Sequence, residues 1–167
     1  MKKIVIAALL SAFVSVPALA AEKSMSAASP FYVGAQLGDG YIGGVAGYQI
    51  DKMYSAELTY IKFDEISAFG ISANAASIGV AGVAMFPLEV KGAPGLSLFA
   101  RAGFERTSVK VEIAFPGLPT TSSTVTDTGL VLGGGAQYAF NKNFSGRLGI
   151  DIEGEADTLY LSALYKF

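Results

Sequence analysis

The sequence predicts an all-β protein, an eight-stranded antiparallel up-and-down transmembrane β-barrel, on three observations. Apolar residues alternate with small or polar ones at period two in eight stretches of about ten residues, the length of a tilted membrane strand. The mean hydropathy is positive at +0.46, and 16% of residues are charged, against about 25% in a soluble domain. No uninterrupted apolar run after residue 20 reaches the roughly 20 residues of a membrane helix. Such a chain satisfies its backbone in lipid only as a closed barrel, because an open edge leaves amides and carbonyls unpaired in hydrocarbon.

The first segment reads as a processing signal. Lys2 and Lys3 precede an apolar run from Ile4 to Val16, Pro17 ends it, and Ala18-Leu19-Ala20 matches an A-x-A cleavage site. Residues 1–20 are expected to be a signal peptide, residues 21–29 a short periplasmic leader and residues 30–167 the barrel. The formal net charge is −2, and removing Lys2 and Lys3 makes the mature chain more acidic. That excludes a basic field for nucleic acid. There is no Cys, hence no disulfide framework, and no His.

Each strand follows from its parity. The first, Phe31 to Leu37, puts Phe31, Val33, Ala35 and Leu37 on one face, and Gly38-Asp39-Gly40 turns it. The second, Tyr41 to Ile50, sets Ile42, Ala46, Tyr48 and Ile50 outward, and Asp51-Lys52 closes it. The third, Met53 to Phe63, faces Tyr54, Ala56, Leu58 and Tyr60 outward over Ser55, Glu57 and Thr59, before a loop near Asp64 to Ala75. The fourth, Ala76 to Phe86, sets Ile78, Val80, Ala84 and Phe86 outward, and Pro87 to Gly95 is a turn. The fifth begins at Leu96, with Leu98, Ala100, Ala102 and Phe104 outward. The sixth centres on Gly129 to Phe140 and turns at Asn141 to Asn143. The seventh is Phe144 to Ile152, and the eighth is Thr158 to Phe167.

An even count puts both termini on the periplasmic side. The short connections Asp51-Lys52 and Asn141 to Asn143 then lie in the periplasm, and the loops after the third and fifth strands and the acidic loop after the seventh lie outside. Phe31, Tyr48, Tyr54, Phe86, Phe140, Phe144, Tyr165 and Phe167 gather at the inferred periplasmic ends, as an interfacial girdle does. A soluble ligand-binding barrel would instead bury its apolar face. Here the charges within strands fall on the face rich in Gly, Ser and Gln.

The signal, the eight-strand pattern, Tyr32-Val33-Gly34-Ala35, Glu57-x-x-Tyr60 and the terminal Tyr165-x-Phe167 resemble the OmpA-like barrel family, over essentially the whole mature chain. A peptidoglycan-binding domain like that of OmpA has no counterpart before the chain stops at Phe167. The architecture is similar to the barrel-only OmpX-like and opacity-type surface proteins. The resemblance implies outer-membrane localisation, a lipid and lipopolysaccharide environment, and recognition of Tyr165 and Phe167 by the barrel-assembly machinery. A girdle role for Phe167 alone follows equally from its position.

The inward face collects Glu57, Arg101, Glu105, Arg147, Asp151 and Lys166, three acids and three bases. An unpaired charge in a low-dielectric interior is costly, so pairing into a closed plug is the expected arrangement. A narrow gated pore in which the pairs exchange partners is the alternative. Catalysis has little to work with. A Ser nucleophile needs an activating base and there is no His, while a Glu57–Glu105 carboxylate pair would be held ionised by Arg101. No catalytic, cofactor or metal residues are therefore assigned.

Beyond the fifth strand, Val109, Val111 and Ile113 continue the inward face. Arg106, Lys110 and Glu112 continue the outward one. Outward charges cannot sit in lipid, so the strand leaves the bilayer by about Arg106. The Thr/Ser/Val-rich return arm, with Val125 at inward parity, completes a protruding hairpin. Its tip is Phe115-Pro116-Gly117-Leu118-Pro119, with Phe115 and Leu118 as apolar contacts. It either packs on the neighbouring loop through Ile66, Phe69 or Ile71, or engages an extracellular protein ligand. Glu153, Glu155 and Asp157 form an acidic loop, solvated or holding a divalent cation shared with lipopolysaccharide phosphates. The functional reading is a non-enzymatic outer-membrane protein with a structural or surface-interaction role, with a small low-conductance pore as the alternative.

Overall fold

Alternation fixes which face each residue takes, and pairing fixes where each strand stops. The computed structural model describes residues 29–68, 71–113, 121–154 and 156–167. Among the described residues the strands are β1 (Phe31–Gly38), β2 (Tyr41–Gln49), β3 (Tyr54–Phe63), β4 (Ile66–Ala68), β5 (Ile71–Pro87), β6 (Leu96–Ile113), β7 (Thr121–Ala139), β8 (Phe144–Glu153) and β9 (Ala156–Lys166). They form one antiparallel sheet in the order β3-β2-β1-β9-β8-β7-β6-β5-β4, and a β3–β5 pairing closes it. The three-residue β4 continues the line of β3 and pairs with the start of β5. The barrel therefore has eight staves, as predicted.

The stagger follows from the register. Cα partners lead from Phe31 through Tyr48, Ala56, Gly82, Ala102, Leu132 and Ile152 to Asp157. Phe31 itself lies beside Phe167, whose amide donates to the Phe31 carbonyl. One circuit thus climbs from Phe167 to Asp157, ten residues along the chain. With ordinary strand spacings that stagger sets a tilt of about 40° and a radius of about 8 Å. A barrel this narrow is filled by its own side chains.

The predicted faces hold. Phe31, Leu58, Val80, Phe104, Leu132, Leu148 and Leu161 are exposed on the outside, while Tyr32, Gln36, Glu57, Thr59, Ser77 and Arg101 are buried inside. Edge-to-face pairs Phe31–Tyr48, Tyr138–Phe140, Phe144–Tyr165 and Tyr165–Phe167, with centroids 5.0–5.3 Å apart, ring the end that carries Phe31, Phe167 and the turns at Asp51 and Asn141. Those turns are locally encoded. The Asp51 carboxylate accepts from the amides of Met53 and Tyr54, each at 2.7 Å. The Asn141 side-chain oxygen accepts from Asn143 and Phe144 at 2.9 and 2.8 Å. Such side-chain caps set a turn without help from the rest of the fold.

One expected loop is largely strand. Within Asp64 to Ala75 only a short break separates β3 from β4, and β5 already starts at Ile71. Ser72 to Ala76 is small and polar, with weak strand preference. It is extended because Ile71–Ala76 pairs with Ser108–Ile113 of β6, so tertiary pairing overrides propensity. The expected signal peptide, residues 21–28 of the expected leader, and Phe69, Phe115, Leu118 and Glu155 lie outside the described residues. Among the described residues no helix is long and apolar enough to cross a membrane.

Candidate functional site

Two places gather the residues that the sequence singles out, namely the lumen and the long β6–β7 hairpin. In the lumen, parity brings β3, β6, β8 and β9 side chains into layers. Arg147 Nη1 donates to Glu57 Oε1 at 2.7 Å, and Arg147 Nε donates to Gln137 Oε1 at 3.1 Å. The Tyr32 hydroxyl donates to the same Glu57 oxygen at 2.6 Å. The Arg147 guanidinium also lies 4.7 Å from the Phe99 ring centroid, a cation–π contact. The second pair is Arg101 Nη1 with Asp151 Oδ2 at 3.0 Å.

The six predicted lumen charges do not form one network. Arg101 serves Asp151, not Glu57 or Glu105, because Arg147 already holds Glu57. Glu105 is buried and makes no ion pair among the described residues. Lys166 lies near the opposite end, where its ammonium donates to Gln49 Oε1. The stagger separates these groups along the axis, so equal counts on one face did not mean mutual contact.

Beside the pairs the lumen also holds apolar clusters, set among buried Gln36, Thr59, Ser77 and Ser162, which the charge count did not reveal. Tyr41, Ile61, Val83, Phe99 and Tyr160 form a buried cluster, with Phe63 and Met85 against it. Tyr32, Val45 and Leu164 form a second. Every one of these side chains has inward parity, which was the signal available. Glycine makes the room: a Cβ on Gly149 would meet the Tyr160 and Phe99 rings at 2.6 and 2.8 Å. Such a packed cluster narrows a lumen of this radius.

The hairpin rises beyond the barrel wall. β6 and β7 stay paired from Leu96↔Tyr138 up to Ile113↔Thr121, whereas β8 ends against β7 at Glu153↔Val131. On its other side β6 pairs with β5 up to Ile71↔Ile113. A small sheet therefore stands above the rim. Val109, Val111, Ile113, Ile71 and Val125 lie on its inward-parity face, and Arg106, Lys110 and Glu112 on the other. Val109 and Val111 are half-buried, but Ile71, Ile113 and Val125 are exposed, Val125 by 66%. Packing against the neighbouring segment thus covers only part of the stripe. Thr121–Gly129 of β7 has no partner on its far side among the described residues. Among those residues, too, no group of three or more acidic, His or Cys side chains is placed to hold a metal.

The comparisons agree with this geometry. No curated protein sequence matches the chain. Among solved structures it resembles the N-terminal β-barrel domain of Pseudomonas aeruginosa OprF, with a TM-score of 0.63 and 15% identity over 84% of this chain and 100% of that one. Neisserial surface protein A gives 0.59 and 18% over 85% and 100%. Ail, the attachment invasion locus protein of Yersinia pestis, gives 0.53 and 16% over 82% and 93%. At these identities the likeness is one of fold. A family model described as the outer membrane protein beta-barrel domain matches residues 6–167, so this chain belongs to the outer-membrane β-barrel protein family.

Proposed function

We propose that this protein is a non-enzymatic surface-interaction barrel that presents the β5–β6–β7 extension outside the cell. The carrying observation is the register: β6 and β7 remain paired far past the last β8 contact, holding an exposed apolar stripe on a rigid base. Recognition commonly sits on such projections from a stable scaffold. Both termini and the turns at Asp51 and Asn141 then face the periplasm, with the aromatic girdle at the inner interface. Outer-membrane lipid and lipopolysaccharide surround the wall, and Tyr165 and Phe167 present the assembly signal. The partner class is an extracellular protein that docks an apolar surface or adds a strand to the Thr121–Gly129 edge. The similarity to Ail, named for attachment and also solved with the heparin analogue sucrose octasulfate, supports a surface role. The apolar lumen layer argues against the pore reading.

The test replaces Thr107–Asp127 with a tight turn and compares adherence of expressing cells to immobilised extracellular proteins. Adherence should fall sharply while the barrel still folds. Undiminished adherence by the folded variant would remove the hairpin as the site.

A further inference from the structure

The lumen charges are sorted along the axis in a way that the surface-interaction reading does not use. At the end that carries the Asp51 and Asn141 turns the lumen opens into a vestibule of about 150 Å³, bordered by Lys52, Arg147 and Lys166. Among the described residues no carboxylate side chain lines it. Arg147 is neutralised by Glu57 within the lumen, at 2.7 Å. Lys52 and Lys166 make no ion pair among the described residues, and Lys166 is held in place by Gln49. Asp51, the acid next to Lys52, has one carboxylate oxygen accepting from two turn amides. Lys166 and the exposed turn residue Lys52 therefore border one concavity with a buried guanidinium. Ser97, Ser145 and Gln137 add polar groups to its lining.

Like charges bordering one concavity raise the local positive potential. An anion between them offsets it. The volume corresponds to about five water molecules, enough for one tetrahedral oxyanion with part of its hydration. Hydroxyl and amide donors around a cationic centre match oxygen acceptors in several directions, and charge-assisted bonds of this kind are the strong ones. We propose that this vestibule binds a small oxyanion, either inorganic phosphate or the phosphate group of a soluble metabolite. The ligand is taken from solution; Lys52 and Tyr54 bring the rim of the vestibule to the exposed surface, and phosphatidylglycerol in the micelle tests a lipid headgroup as the source instead.

The test uses the full barrel in maltoside micelles, which carry no phosphate. Inorganic phosphate is titrated at constant ionic strength while the amide resonances of Ser97, Gln137 and Ser145 are followed. The expected result is a saturable shift. K52Q/K166Q should weaken it by about tenfold or more. K91Q/K142Q, which removes the same charge from exposed turns at the same end but outside the vestibule, should leave it unchanged. Heat-modified gel mobility verifies folding of both. Three outcomes overturn the proposal: no saturation, equal affinity in K52Q/K166Q, or shifts produced by phosphatidylglycerol in the micelle but not by inorganic phosphate.

Discussion

At the residue scale, the lumen is where a single atom matters. Arg101 and Asp151 are both largely buried, at 4% and 14% side-chain exposure. Arg101→Ala removes one member and leaves the other charged in an apolar setting. A cost of about 3–5 kcal/mol is expected, read as a lower urea midpoint for unfolding in micelles or bilayers. Replacing both by similarly sized apolar residues should recover most of it. Glycine is equally position-specific. A Cβ at Gly135 would lie 2.1 Å from the Leu148 carbonyl oxygen, a backbone atom with little freedom to move, whereas at Gly44 the nearest atom is 3.8 Å away. Gly135→Ala should therefore destabilise by about 1–3 kcal/mol. Gly44→Ala should be neutral or stabilising by up to about 1 kcal/mol. The identity of the charged residues is legible from parity, but their partners are not. Pairing depends on the stagger, which no single strand encodes. Phe99, Val83 and Tyr160 share that inward parity, yet only the closed circuit shows that they meet in one layer.

At the element scale, each membrane strand is readable because lipid outside and packing inside enforce strict alternation. Leu148, 53% exposed on the outer wall, tests that directly. Leu148→Lys should cost about 2–4 kcal/mol if it lies near the bilayer midplane, measured by refolding into lipid vesicles. A cost near zero would place the register one residue out, since one step exchanges the faces. Outside the bilayer the alternation loses its physical cause, and reading from sequence weakens accordingly. Ile71–Ala76 reads as loop because alanine, serine and asparagine say little about strand. Its extended form comes from β6, whose Val109, Val111 and Ile113 do carry the pattern. Shortening the hairpin should remove the order of Ile71–Ala76 as well, visible as faster amide exchange there than in Ser77–Phe86.

At the scale of the whole molecule, a closed wall, a side-chain-filled lumen and a projecting sheet are what the proposed surface role rests on. In planar bilayers the protein should give no steady conductance, because Tyr41, Ile61, Val83, Phe99 and Tyr160 close the lumen together. The direction in which the sheet projects is the claim on which the functional reading depends. The chain has no cysteine, so single-cysteine labelling with a membrane-impermeant maleimide on intact cells has no background from it. Val125→Cys, on the hairpin, should label on intact cells. Lys142→Cys, in the short turn before β8, should label only after the outer membrane is permeabilised. Labelling of Lys142→Cys on intact cells with Val125→Cys protected would contradict the account.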